Sequence, residues 1–532
     1  MRLKQNIYFI TVALLVTLSG YAQKNHSKQF KETLNEADIL FDADDFKNAE
    51  QKYLSIYKED STNEQLNLNI AICKYKLKEF PDSILPYLIK VDKSKFAEAQ
   101  FYEAKIFHLE HKFNEAVEHY NKYKKFDENK RDVKNTEVDR LIEISKHASE
   151  YMSNPHKAII KNMGVNINTK YPDYVPLISA DESVLYFTSR RPGSTGDLTD
   201  AWGNYYEDVY VSYNKNGEWT NAQNIGSPIN TKTHDACVAL SADAQQMIIY
   251  RTSTDGLSGD LYITEATTKG WSTPEKLGPQ INTEYKEVSA CFSPDGNCII
   301  FSSDKPGGFG AKDLYRVLKL PNGKWSLPTN LGNAINTKYD EDAPFISVDG
   351  NTLYFSSKGH ETMGEFDVFK TKLNAEDWLF EKVEDIGYPV NTVGDDIFFV
   401  VNGNAKHGYY SSLNEIPTET GYESEDIYFI DMHFNESDLI VKKCSAMYGK
   451  SEHPVAAKIT LVDKETNKVS GLYHSNGNTG SFIIAINPYC TYKLVAEYKD
   501  YEPVEINLTP VANQPLNLNE EEILKILFNK KP

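Results

Sequence analysis

A repeat in the middle of the chain constrains the fold more than any other feature of the sequence. An aliphatic residue followed by Asn-Thr recurs at intervals of roughly 50 to 60 residues, and a turn such as 293–296 follows each copy. An apolar segment comes next, and the unit continues with an Asp, an aliphatic residue and an aromatic residue. Such units cannot bury a core alone, so they must pack together. The repeated residues are Asn168, Asn230, Asn282, Asn336, Asn391 and Asp208, Asp260, Asp313, Asp367, Asp426.

Each unit is long enough for four short strands, which is the content of one β-propeller blade. The fifth unit lacks the Trp and Gly that close the other four, and the segment 157–160 ahead of the first unit has the pattern of that missing strand. We therefore predict a five-bladed β-propeller over 155–435 that closes with this strand, because closure removes exposed sheet edges. Six blades are the alternative. The units resemble the TolB-like (PD-type, WD40-like) propeller repeats, which carry a Ser-Pro-Asp-Gly turn.

Residues 28–150 show a shorter period of 34 and then 33 residues. Small residues recur where two helices would approach, and aromatic residues recur where neighbouring helical hairpins would meet. The segment resembles three tetratricopeptide repeats followed by a capping helix over 137–151. The resemblance implies a concave surface for protein docking, and a rigid spacer is the alternative. The recurring residues are Ala37, Ala71, Ala104; Phe46, Phe80, Phe113; and Tyr53, Tyr87, Tyr120.

The last part of the chain has the pattern of a third module. Alternating strands such as 455–462 and 492–496 are separated by Asn-Gly and Thr-Gly turns, which is typical of a small antiparallel sandwich. Over 438–511 the pattern resembles the carboxypeptidase regulatory-like domain, an accessory fold that implies no peptidase. The tail 512–532 carries no structural prediction. The predicted fold class is therefore multidomain, α plus all-β: a tetratricopeptide-like α-solenoid, a five-bladed β-propeller and a small β-sandwich.

Residues 1–22 have the pattern of a secretory signal peptide, with two basic residues, an apolar run over 7–18 and a small residue at Ala22. The apolar run is shorter than the ~20 residues that span a bilayer. The order of the modules resembles the OmpA-family and type IX secretion-associated periplasmic proteins of Bacteroidetes, here without the OmpA-like domain. The resemblance implies a periplasmic protein, peripherally associated with the outer membrane, whose partner is an outer-membrane or secretion-system component. No peptidoglycan-binding domain is recognised.

Charge and motif content argue against several function classes. The formal net charge is −19, from 57 basic and 76 acidic residues, whereas nucleic-acid binding needs concentrated Lys and Arg. The sequence has no Gly-x-Ser-x-Gly elbow and no paired CxxC, and the His-Leu-Glu-His run at 108–111 lacks the spacing of a zinc site. We therefore predict no metal, no cofactor, no catalytic residue and a chain that is not an enzyme. Disulfide candidates are Cys291 with Cys298 and Cys444 with Cys490.

The first propeller unit departs from the repeat by an insertion between Ser189 and Asp208. The insertion contains Trp202, Tyr205 and Tyr206, and exposed aromatic residues are frequent anchors of protein interfaces. We predict that these residues contact a partner; packing of the loop against the propeller is the alternative. The predicted function is a non-catalytic periplasmic protein-protein interaction scaffold of the cell envelope. The alternatives are a propeller that binds a peptide or glycan and, less favoured, a propeller-channel lyase or hydrolase.

Overall fold

The computed structural model describes residues 26–200, 203–253, 258–374, 379–413, 425–432, 439–509 and 523–531. The predicted signal peptide, 1–22, lies outside these residues. The chain divides into two compact units, Met1–Glu103 and Ala104–Pro532. Among the helices of the described ranges, none is long and apolar enough to cross a membrane.

The helices of the described ranges lie between residues 28 and 153. The first three begin at side-chain caps, in which Ser27, Asp45 and Asn63 each accept a hydrogen bond from the backbone N–H three residues further on. The described α-helices are α1 (Lys28–Asp42), α2 (Phe46–Ile56), α3 (Glu64–Lys76), α4 (Pro81–Leu88), α5 (Ala97–Leu109), α6 (Phe113–Tyr123) and α7 (Asn135–Ser153), with a 3₁₀ turn at Glu128–Lys130 between α6 and α7.

The first unit packs its helices through small and aromatic side chains. Ala37 of α1 and Ala49 of α2 are completely buried, which lets the two helices approach closely. Tyr53 is also buried in this core, and its hydroxyl donates to the carboxylate of Asp38 at 2.7 Å. A buried phenol needs such a partner, because an unpaired hydroxyl would lose its hydration without compensation. Ala37, Ala49 and Tyr53 of the repeated columns therefore lie in this helical core, whereas Phe80 is exposed.

Five of the antiparallel sheets in the second unit come directly after β1 (Ile159–Asn162) in the chain; we call them blades one to five. Blade one contains β2 (Asp173–Ile178), β3 (Val184–Ser189), β4 (Asp208–Lys215), β5 (Glu218–Trp219) and β6 (Gln223–Asn224). Blade two contains β7 (Asp235–Leu240), β8 (Gln246–Thr252), β9 (Gly259–Thr267), β10 (Gly270–Trp271) and β11 (Glu275–Lys276). Blade three contains β12 (Ala290–Phe292), β13 (Cys298–Ser303), β14 (Asp313–Leu318) and β15 (Thr329–Asn330). Blade four contains β16 (Glu341–Ile346), β17 (Thr352–Ser357), β18 (Asp367–Asn374), β19 (Leu379–Phe380) and β20 (Glu384–Asp385). Blade five contains β21 (Asp396–Val401), β22 (His407–Ser412) and β23 (Asp426–Asp431).

The first strand of each blade faces a central axis. These inner strands, β2, β7, β12, β16 and β21, contact one another in sequence, and β21 also contacts β2, so the blades form a closed ring. The outer edge of blade five is β1, which pairs antiparallel with β23. Closure by a strand from ahead of blade one ties the two ends of the ring together.

The repeated Asn joins two parts of each blade. The side-chain amide of Asn230 accepts from the backbone N–H of Val209 and donates to its carbonyl, both at 2.9 Å. Asn336 makes the same pair of bonds to Leu314. A side-chain amide has a donor and an acceptor side by side, so it can pair with the backbone N–H and C=O of one residue as a neighbouring strand would. This explains why the sequence repeats Asn at this position.

The C-terminal sandwich follows blade five in the second unit. One sheet joins β24 to β25, β28 and β31, and the other has the order β27-β26-β29-β30. The last strand, β31, pairs parallel with β24, so part of the tail that carried no sequence prediction completes a sheet. The strands are β24 (Ile440–Tyr448), β25 (His453–Pro454), β26 (Lys458–Asp463), β27 (Lys468–His474), β28 (Ser481–Ile486), β29 (Tyr492–Glu497), β30 (Val504–Leu508) and β31 (Leu524–Phe528).

The sandwich packs against the end of the ring at which the inner strands finish, here named the C-terminal end of the ring. Ile483 and Ala485 of β28 form a buried cluster with Ala180 and Val348. Polar contacts flank this cluster, since the N–H of Leu472 donates to the carbonyl oxygen of Pro294 and the side chain of His474 pairs with Asp243 (both contacts 2.9 Å). The sandwich therefore covers one end of the central channel.

The predicted fold class is wrong. In the described part of the chain, seven α-helices accompany thirty-one strands, so the chain is predominantly β, and the helices do not form an α-solenoid domain of their own. The compact unit that begins at Ala104 takes the last helices together with the blades. The physical reason is burial: Phe113 and Ala148 share a core cluster with Met363 and Val393 of the propeller.

The two suggested disulfides are absent. All six cysteines lie in described residues and are free. Cys291 faces Ile300 across its hairpin rather than Cys298, because the register between β12 and β13 places the two cysteines at different levels.

Candidate functional site

The central channel holds a small apolar cavity of about 50 Å³. Its lining comes from the inner strands and includes Val175, Leu240 and Phe398. Ligand pockets for small molecules measure roughly 300 to 1,000 Å³. The cavity is therefore too small for a sugar or a peptide. Polar side chains gather instead at the other end of the ring, where the inner strands begin. We call this the N-terminal end of the ring.

A ring of buried carboxylates lies at this end, one for each blade. Each carboxylate accepts hydrogen bonds from the backbone N–H and the hydroxyl of a Thr four residues earlier, as Glu341 does from Thr337 at 2.7 and 2.6 Å. An Arg or a Ser on or just after the second strand donates a further hydrogen bond to the carboxylate, as Ser357 does to Glu341 at 2.8 Å. We name this arrangement the acid latch. Its carboxylates are Asp173, Asp235, Glu287, Glu341 and Asp396.

The acid latch has a structural role, because it recurs in every blade and its oxygens are already occupied. Burial raises the pKa of Glu341 to about 7, against the hydrogen bonds from Thr337 and Ser357, which lower it. Burial likewise raises the pKa of Asp396 to about 7. In both residues, burial disfavours the charged carboxylate more than the surrounding hydrogen bonds favour it. A group present in all five blades cannot mark a unique site.

Blade one departs from the repeat at the residue that follows the latch acid. The residue after the latch acid is Tyr174 in blade one, whereas it is apolar in blades two, three and five. The hydroxyl of Tyr174 donates to Oε1 of Glu207 at 2.5 Å, and Nδ1 of His234 lies 3.1 Å from Oε2 of the same carboxylate. Glu207 comes from the end of the blade-one insertion and His234 from the loop that enters β7. The three side chains therefore meet at the seam between blades one and two.

Aromatic rings surround Glu207. Tyr206 stacks on His234 with ring centroids 4.1 Å apart, and Tyr171 contacts Tyr205 edge to face at 5.9 Å. All of these side chains are half-buried. We name the group the blade-one site, and its members are Tyr171, Tyr174, Tyr205, Tyr206, Glu207 and His234.

The structure places two of the three predicted partner-binding residues in this site. Tyr205 and Tyr206 pack against the propeller through Tyr171 and His234, as the self-packing alternative expects, and each keeps part of its ring exposed. Trp202 lies outside the described residues. Sequence reasoning missed Tyr174, Glu207 and His234, although the break in the repeat at Tyr174 is visible in the sequence.

Glu207 is ionised at neutral pH. Burial raises its pKa, but hydrogen bonds from His234 and Tyr174 outweigh burial, so the pKa of Glu207 lies below its usual value. The loop is fixed by Arg190, which donates to the carbonyl of Tyr205 and to the carboxylate of Asp200, both at 2.9 Å. The site thus presents a fixed carboxylate beside aromatic rings.

A second departure lies at the seam between blades three and four. Asp342 occupies the position of Tyr174 in its blade, and it accepts from the hydroxyl of Ser289 and from the ammonium of Lys312 at 2.8 Å. Lys312 occupies the repeat position of Glu207. Asp342 is 5% exposed, and Lys312 is 29% exposed. The cluster around Glu207 and the cluster of Asp342 with Lys312 therefore occupy equivalent repeat positions at two different seams between blades.

In the ranges that the structure describes, no group of three or more His, Cys, Asp or Glu side chains is placed to hold a metal ion. The side chains of the blade-one site can accept hydrogen bonds through Glu207 and offer aromatic faces for contact.

The comparisons with known proteins find similar solved structures. No family model matches the chain, and no curated protein matches it. The α-L-arabinofuranosidase of Podospora anserina in complex with cellotriose is similar at a TM-score of 0.34 and 12% identity, over 52% of this chain and 94% of that chain. The α-L-arabinofuranosidase of Lactobacillus brevis gives 0.35 and 11%, over 51% and 94%. A levansucrase variant of B. megaterium gives 0.32 and 9%, over 50% and 88%.

These neighbours are enzymes by name, and they overturn the prediction that the chain is not an enzyme. That prediction is wrong. Likeness at this TM-score and identity assigns neither a reaction nor a substrate to the chain.

Proposed function

We propose that the chain is a β-propeller protein that binds a glycan at the blade-one site. The observation that carries the proposal is the arrangement around Glu207: an ionised carboxylate fixed by Tyr174 and His234, next to the partly exposed rings of Tyr171 and Tyr206.

The chemistry of a sugar matches this arrangement. A sugar ring offers hydroxyl donors along its rim, and an ionised carboxylate accepts them strongly in a half-buried site. Its C–H face is apolar and packs on aromatic rings, which supply rigid contact area. Glu207 keeps unused lone pairs, because a carboxylate has about four acceptor positions and the contacts with Tyr174 and His234 use at most two of them. A few convergent polar groups beside aromatic faces are typical of ligand sites.

Location and partners stay predictions from the sequence. We propose a periplasmic setting and an outer-membrane or secretion-system partner on the resemblance of the module order alone. Affinity purification of the tagged chain from cell envelopes, analysed by mass spectrometry, would test the partner separately from the glycan.

The direct test is binding to an array of neutral and N-acetylated oligosaccharides, followed by calorimetry on the best binder. We expect Glu207→Gln and Tyr206→Ala each to weaken binding at least tenfold, which corresponds to about 1.4 kcal/mol. Tyr285→Ala is the matched control, because Tyr285 occupies the repeat position of Tyr171 in blade three and is exposed. The control should bind like the parent protein.

Two results would contradict the proposal. One is the absence of binding to every oligosaccharide on the array. The other is equal loss of affinity in Tyr285→Ala and Tyr206→Ala, which would place the glycan elsewhere on the ring.

A further inference from the structure

The repeated Asp at the first or second residue of each blade's third strand has a neighbour at a fixed repeat position. In blade three, the amide Nδ2 of Asn330 donates to Oδ2 of Asp313 at 2.7 Å. In blades one and five the donors are Asn224 and Asn162, at 2.6 and 2.8 Å, and in blade two the ammonium of Lys276 lies 2.7 Å from Asp260. Four blades therefore pair this Asp with a hydrogen-bond donor.

Blade four breaks this rule, because the partner position holds Asp385. Its Oδ1 accepts from the N–H of Gly387 at 2.5 Å and from the amide of Asn391 at 3.0 Å. The Oδ1 atom of Asn330 makes the same two kinds of contact in blade three. Asp385 Oδ2 thus takes the place of the Asn Nδ2 and faces Asp367.

Two carboxylates in this position need a proton between them. Oδ2 of Asp385 is a buried atom with no hydrogen-bond partner in the described residues. The register of β20 on β18 sets Asp385 opposite Phe369, just as the register of β15 on β14 sets Asn330 opposite Tyr315, so Asp385 lies beside Asp367 as Asn330 lies beside Asp313. Asp367 is completely buried. Two adjacent carboxylates cannot both ionise cheaply in such a setting, and one is kept protonated.

The 358–366 loop, which donates hydrogen bonds to Asp367, also contacts α5 and α6. Oδ2 of Asp367 accepts from the N–H groups of Met363 and Gly364, at 2.5 and 2.9 Å. The carbonyl of Met363 lies 3.1 Å from Nε2 of His108 in α5, and the Met363 side chain is buried against Phe113 of α6. Any movement of Asp367 therefore disturbs the surface on which the helices dock.

We propose that Asp367 and Asp385 share a proton and that its loss releases the 358–366 loop, and with it α6 and α7, from blade four. The titratable and charged groups around the pair come from several elements. Asp396 of β21 and Glu361 of the loop add negative charge, whereas the rim of the helix contact carries both signs. Asp396, Glu361 and Tyr151 interact electrostatically with the pair. The charged and titratable groups of the surrounding helix contact and blade are Glu365, Lys358, Lys105, His108, Arg140, His156 and Lys370.

The sign of the pH effect follows from the pair. Burial and then the charge of Asp385 raise the pKa of Asp367 well above its usual value, and burial raises the pKa of Asp385 to about 7. A free Asp has a pKa near 3.9. The docked state therefore binds more protons than the released state, so docking weakens as pH rises from about 4 and is weakest once the pair ionises above about 7.

Hydrogen exchange of α7 amides, corrected for the intrinsic exchange rate, measures this release in the full chain. We expect the opening constant of α7 to rise at least tenfold between pH 6 and pH 8.5, since each pKa unit is worth a factor of ten. Asp385→Asn restores the residue of blades one, three and five and should abolish that rise while the protein stays folded.

Asn330→Asp supplies the matched control, because it creates the same carboxylate pair in blade three. It should make the exchange of blade-three strands depend on pH and leave α7 unchanged. The proposal is overturned if α7 opens with the same pH dependence in Asp385→Asn as in the parent chain, or if the parent shows no such dependence. Neither outcome bears on glycan binding at the blade-one site.

Discussion

Replacing Thr337 with Val tests whether the acid latch holds the ring together. The hydroxyl of Thr337 donates to Glu341 at 2.6 Å and accepts from the N–H of Tyr339 at 3.1 Å. Val keeps the shape of Thr and removes both bonds. At pH 8.5, where Glu341 is ionised, loss of the bond to its carboxylate should cost about 1.5 to 3 kcal/mol of unfolding free energy. Thr337→Ser keeps the hydroxyl and should lose less than about 1 kcal/mol, the value of one methyl group.

The effect of Thr337→Val should depend on pH. The pKa of Glu341 is about 7, so the residue is protonated at pH 5.5 and ionised at pH 8.5. Hydrogen bonds to the charged form lower the pKa, and their removal raises it further. Each additional unit costs about 1.4 kcal/mol at the higher pH. The destabilisation should therefore be larger at pH 8.5 than at pH 5.5.

Urea denaturation followed by tryptophan fluorescence provides the assay. All five Trp residues lie between 202 and 378, so the signal reports on the propeller. Equal losses for the Val and Ser variants would show that the methyl group and not the hydroxyl matters. A loss that is the same at both pH values would refute the role assigned to ionised Glu341.

Two further substitutions test the packing of the ring. Gly310→Ala would place a Cβ 1.8 Å from the carbonyl oxygen of Tyr339. We therefore expect the free energy of unfolding to fall by about 3 kcal/mol in the urea assay. An unchanged midpoint would mean that Gly310 and Tyr339 are not in this contact. Ile483→Ala removes a buried side chain from the contact with Ala180 and should cost about 2 to 4 kcal/mol. Faster hydrogen exchange in β28 checks it, and unaltered exchange would show that the sandwich does not rely on this cluster.

The substitution at Asp385 can be recognised from the sequence, but its contact with Asp367 cannot. The repeat shows that Asp stands where other blades have Asn or Lys, and this is visible without a structure. The sequence does not show that Asp367 is the residue facing it, because the two belong to strands that meet only through the fold of the blade. The same holds for Tyr174 and Glu207, which are 33 residues apart and share a hydrogen bond.

The sequence by itself determined the local structure. Its period places a turn and an apolar strand in each unit, and β3 and β17 form where that pattern predicts them, because alternation and turn residues act over a few neighbouring positions. Only the tertiary structure decided which polar residues meet at a seam, and that the last helices belong to the propeller unit. Those outcomes depend on burial between distant segments, as in the contact of Phe113 with Met363, and a linear pattern contains no information on such contacts.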